Sequence, residues 1–151
     1  MPELNPEDIL SIYNEYLYVD VNNISNHRIV AGQFEQRILV LFLENDYNAG
    51  TETMLQKMMA SCKLEQKDTY FVALNDENQL LAIIQHYNPI TVVSFGLTFQ
   101  GETIRFNRPA YKPFRFNNIK FLLSDTLTKL NSDDQLKRTL WTNGLKPLFI
   151  Q

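Results

Sequence analysis

Two carboxylates stand close together where a long apolar run ends. Ile38, Leu39, Val40, Leu41, Phe42 and Leu43 are followed at once by Glu44, Asn45 and Asp46. Paired acids at the end of a buried strand can position a water molecule or bind a cation. Polar residues at that point also simply solvate the turn, so the residue types leave both readings open. Ser124 and Asp125, after the apolar run 119–123, have the same standing, and they could equally begin a turn or cap a helix. A second cluster is cationic. Arg105, Arg108, Lys112, Arg115 and Lys120 alternate with Phe106, Tyr111, Phe114 and Phe116, with no acid among them. Such alternation can bind phosphates and stack on unpaired bases. In a hairpin it is equally the pattern of rings turned inward and charges turned outward.

Other chemistry-bearing side chains read as structural. His27 falls in an Asn-rich connection, and His86 sits on a helix just before Tyr87 and Pro89. Cys62 shares the apolar stripe of a helix with Met54, Met58 and Met59, which suits a buried thiol rather than a nucleophile. A single cysteine excludes an internal disulfide and any metal site needing two thiolates. Phosphate loops, dinucleotide fingerprints, nucleophile elbows and paired histidines at metal spacing are all missing from the sequence. Neither a cofactor nor a metal is expected.

The elements that must position these groups alternate along the chain. Its 151 residues, 44% apolar and 21% charged, match globular usage and argue against a disordered or fibrous chain. No apolar run approaches the roughly 18 residues of a membrane span, and the N-terminus lacks a signal-peptide pattern. A soluble, cytoplasmic protein without membrane contact is expected. The net charge of −3 conceals an asymmetry: residues 1–75 hold 11 acidic and 5 basic residues, residues 76–151 hold 6 and 9. That dipole can orient a partner but does not bear on fold.

Asn5, Pro6, Glu7 and Asp8 open a helix whose apolar face carries Ile9, Leu10, Ile12, Tyr13, Tyr16 and Leu17. An Asn-rich connection follows. Buried strands are expected at 38–43, 70–74, 90–95 and 119–123, because these are short continuous apolar runs. Between them lie a helix capped by Thr51, a helix opened by Asp76 and stopped by Pro89, and an excursion over 103–116. A last helix is capped by Ser132 and closed by Gly144 and Pro147. The alternation predicts a three-layer α/β/α domain with a four-stranded, mainly parallel sheet. We expect one domain, 1–151, with residues 1–36 as N-terminal helix and connection and 37–146 as core. Pockets in such sheets form beyond the carboxyl ends of the strands.

Met54-Leu55, Lys57-Met58-Met59, Leu64, Asp68 and Tyr70, then the run 89–96 ending in Gly96, then Asn131, Leu136-Lys137-Arg138 and Trp141, resemble the uracil-DNA glycosylases. The types that carry an iron–sulfur cluster are the most similar, and the resemblance covers residues 37–146 as an order of elements. It implies a glycosylase-like fold, but the family's functional residues are degenerate here. Of the Gly-Glu-Ala-Pro-Gly motif after the first strand only Glu44 matches, followed by Asn45, Asp46 and Tyr47. The uracil-reading asparagine falls at Ala73, and the His-Pro of the last motif falls at Ser124-Asp125. The four cluster cysteines are missing. A glycosylase must read the flipped base and stabilise its departure, so these losses imply a fold retained without its catalysis. The psi subunits of bacterial DNA polymerase III are non-catalytic proteins of this architecture that link the clamp loader to other replication proteins. The resemblance therefore implies an accessory protein of DNA replication or repair with a protein partner. Nucleic acid is a further candidate ligand for the surface of Arg105, Arg108, Lys112, Phe114, Arg115 and Lys120. The alternative is a divergent active uracil- or mismatch-DNA glycosylase that places water with Glu44 or Asp46.

Overall fold

Strand β2 (Ile38–Leu43) is buried along its whole length except for half-buried Leu43, as a strand covered on both faces requires. In the computed structural model, which describes residues 27–75, 80–97 and 111–150, it lies near the middle of a single sheet. Parallel ladders join it to β3 (Thr69–Leu74) on one side and β4 (Thr91–Phe95) on the other, and β4 pairs in parallel with β6 (Ile119–Ser124). Two further strands run antiparallel outside these: β1 (His27–Gly32) against β3, and β5 (Phe114–Phe116) against β6. The order is β1-β3-β2-β4-β6-β5.

The expectation of a four-stranded, mainly parallel sheet is therefore corrected to a six-stranded sheet of mixed orientation. The physical reason lies in the two outer strands. Arg28 and Ile29 of β1 are exposed, and its register slips between Ile29 and Ala31, so neither alternation nor a continuous apolar run marks it. It occupies part of what reads as connection within residues 1–36. Strand β5 has only three residues, too few for any periodicity to register. The expected first helix, the Asp76 cap and most of the 103–116 excursion fall outside the described residues.

Helices cover both faces. On one, α1 (Ala49–Ser61) and the C-terminal helices pack Met54, Leu55, Leu127, Leu130 and Leu140 onto Val40, Phe42, Val93, Phe95 and Leu122. On the other, α2 (Leu80–Tyr87) sets Leu80, Ile83 and Ile84 against Leu39, Leu41, Val72 and Phe121. Burial of a leucine such as Leu55 contributes about 1.5–3 kcal/mol. The caps differ from expectation. Asn48 rather than Thr51 caps α1: its side chain accepts from the Gly50 and Thr51 amides, while Thr51 Oγ1 accepts from the Asn48 amide at 2.9 Å.

The C-terminal layer comprises α3 (Leu127–Asn131), α4 (Asp134–Leu140), a π-helical segment (Trp141–Leu145) and α5 (Lys146–Phe149). Asp133, not Ser132, caps α4 through the Gln135 and Leu136 amides. Gly144 and Pro147 do not end the helix. Gly144 sits in the π segment, where an added Cβ would lie 2.8 Å from Leu122 Cδ1 and 3.2 Å from the Tyr111 carbonyl oxygen. Among the described residues no helix is long and apolar enough to cross a membrane.

Strand β1 carries a pH-sensitive anchor. His27 Nε2 and the Tyr87 hydroxyl share a hydrogen bond of 2.8 Å, beside a stack of Phe34 on Tyr70. Burial, and secondarily His86, lowers the His27 pKa below its ordinary 6.5. The unfolded chain then holds this proton more tightly than the folded one. Stability from neutral His27 is present above pH 6.5 and lost as pH falls through the lowered value. We expect the melting temperature to fall more between pH 7.5 and 5.5 in the natural protein than in His27→Gln. Equal slopes in the two would remove His27 from the account.

Candidate functional site

The carboxyl ends of the parallel strands are where the sequence places its site, and Asp46 sits at their centre. It ends a short 3-10 turn after β2 and is buried. Its Oδ2 accepts from the Leu127 amide at 2.6 Å. Its Oδ1 accepts from the Thr128 amide at 2.9 Å and from the Thr128 hydroxyl at 2.5 Å. Leu127 and Thr128 are the first two residues of α3, whose amides have no partner inside the helix. Thr126 Oγ1 accepts from the next amide, Lys129, and the Thr126 carbonyl from Leu130. The orphan amides of Leu127, Thr128 and Lys129 are thereby satisfied, and a carboxylate meets the positive end of the helix. Asp46 is a helix cap supplied from across the sheet, with both carboxylate oxygens engaged by donors of α3.

The other strand-end acids, Glu44 and Asp125, are also engaged. Glu44 receives Arg28 of β1 in a forked contact, Nε lying 2.9 Å from both carboxylate oxygens. Register places Arg28, Ala73 and Phe42 in one row, so the guanidinium reaches past Ala73 to Glu44. Ala73 itself is fully buried within β3. Ser124 is buried at the end of β6. Asp125 accepts from the Tyr111 hydroxyl and lies 3.7 Å from Lys129 Nζ. Burial, with that hydrogen bond, pushes the Tyr111 hydroxyl up to about 12. Gly96, at φ +74°, closes the gap between β4 and β6: an added Cβ would lie 2.7 Å from Thr126 Cγ2. Asn45 is exposed. The structure thus brings Glu44, Asp46, Ser124 and Asp125 to one end of the sheet, each of the three acids already bonded.

Of the basic, aromatic surface, Arg105 and Arg108 lie outside the described residues, and Lys112, Phe114, Arg115 and Lys120 lie within them. Phe114 stacks on Phe121 at 5.5 Å and, like Phe116, packs against the α2-side core. Arg115 and Lys120 are paired across β5 and β6, so two like charges stand opposite each other. Cys62 is buried and its thiol is pushed up to about 11 by that burial, which leaves it unreactive at neutral pH. No three metal-ligating side chains cluster among the described residues.

A cleft of about 330 Å³ opens in the helical layer rather than beyond the strand ends. One wall is a single face of α1, from Gly50 to Ser61 through Met54, Lys57 and Met58; the other holds Lys137, Trp141 and Leu145. No protein-family model matches the chain, and no curated protein matches it. The chain's own geometry therefore carries the functional reading. Sequence reading takes the α1 methionines as core and misses this cleft. Lys57 gives no signal of it, because it borders the apolar stripe on an exposed row with Thr53 and Ser61.

Proposed function

We propose that the protein is a non-catalytic accessory protein that acts through protein contacts. The observation that carries this reading is Asp46, the residue best placed to activate water, whose two oxygens hold the first turn of α3. Glu44, the second acid, is committed to Arg28, and Ala73 offers no group that could read a base. A place in DNA replication or repair, of the kind the psi subunits occupy, is supported by the sequence resemblance alone. The competing reading is an active glycosylase.

Uracil-containing single- and double-stranded DNA given to the purified protein separates the two. We expect no base release above background. Release that disappears in Glu44→Gln, with the fold intact by circular dichroism, would establish the enzyme instead.

A further inference from the structure

We infer that the cleft between α1 and the C-terminal helices is a docking groove for an acidic, amphipathic helix of a partner protein. The inference deepens the proposed protein-binding role and rests on it. Three observations meet at this cleft. Its lining is largely apolar: half-buried Met58 and Trp141 stand at the surface, over buried Met54 and Leu145. Methionine side chains repack readily around different ligands, and methionine-rich grooves are a known solution for receiving helices. The groove follows α1 from Gly50 to Ser61, which at 1.5 Å per residue is about 16 Å, enough for three turns of a seated helix.

Charge selects the occupant. Lys57 and Lys137 line the cleft and no Asp or Glu does, although the chain as a whole carries −3. Lys137 has Asp134 at 3.2 Å, whereas Lys57 has no ion pair among the described residues. Carboxylates flanking the apolar stripe of an incoming helix would find both lysines, and a basic helix would meet two like charges. The wall that carries Trp141 and Leu145 is the π-helical segment. Such segments are rare and occur frequently at functional sites.

Full-length protein titrated with a fluorescein-labelled peptide of about four helical turns tests the inference. The peptide carries leucines at i, i+3, i+4 and i+7 with glutamates on both flanks, and a control replaces the glutamates by lysines. Fluorescence anisotropy should show the acidic peptide binding at least about tenfold more tightly than the control, weakening with salt. Emission of Trp141, the only tryptophan, should shift on binding. Lys57→Glu combined with Lys137→Glu, checked for an unchanged melting profile, should cost the acidic peptide at least about tenfold and improve the control. Equal binding of the two peptides, or indifference to the double charge reversal, overturns the groove.

A synthetic peptide of residues 2–18, which hold four acids and no lysine or arginine, belongs in the same titration. If it binds more tightly than the probe, the occupant is the chain's own segment and the partner is overturned. Uracil release would sink the non-catalytic reading without touching the groove. Failed peptide binding would sink the groove and leave the strand-end acids as described.

Discussion

Asp46→Ala should lower stability by about 3 kcal/mol, as loss of hydrogen bonds to a buried carboxylate at a helix start predicts. In a chain of this length that corresponds to a fall in melting temperature of about 6–12 °C. The substitution removes the acceptor for the Leu127 and Thr128 amides and for the Thr128 hydroxyl together. The helix then begins with donors that have lost their acceptor. Asp46→Asn should fall between the two, because its amide keeps one acceptor and turns a second donor toward a donor. Thermal unfolding followed by circular dichroism measures both. A catalytic acid behaves in the opposite way, since relieving an active-site charge commonly stabilises. If either variant melted at or above the natural protein, the cap reading would fail.

Gly32→Ala is expected to be as damaging, by about 3 kcal/mol or more, through backbone that cannot move aside. Gly32 has φ +106°, and an added Cβ would lie 1.7 Å from the Thr69 carbonyl oxygen and 2.7 Å from its carbon. That oxygen belongs to β3 and accepts from the Phe34 amide at 3.2 Å. To admit a methyl group, β1 must peel from β3 or the turn into β2 must be rebuilt. Gly144→Ala offers the contrast. Its two nearest neighbours are the methyls of the Leu122 side chain rather than backbone, so about 1–2 kcal/mol is expected, as for ordinary overpacking. Amide exchange should place the Gly32→Ala damage in β1 first. Unchanged protection of Val30 and Ala31 would contradict the account.

Where these residues are legible in the sequence follows from how far each interaction reaches. The runs at 38–43, 70–74, 90–95 and 119–123 announce themselves because a strand packed on both faces is mostly apolar along its length. Strand β1 hides because Arg28 and Ile29 face solvent and its partner β3 lies some forty residues ahead. Strand β5 hides in its brevity. The Asn48 cap is readable once the helix is known to start at Ala49, since acceptor and donors lie within three residues. The role of Asp46 is not, because its partners lie 81 and 82 residues away and no spacing rule connects them. The same limit applies to the cleft. Trp141 and Lys57 read as members of separate helices, and only the packing of α1 against the C-terminal layer makes them two walls of one groove.

The long reach of Asp46 also has a consequence during synthesis. Ribosomes add about 5–20 residues per second, so roughly 4–16 s separate the making of Asp46 from that of its partners. Through that interval β2, β3 and α1 can assemble, but Met54 and Leu55 lack the leucines of α3 that cover them. Their side of the sheet stays open until residue 127 and its successors arrive. A nascent chain stalled before that point should keep an apolar face exposed and be a substrate for chaperones, whereas the released full chain should not.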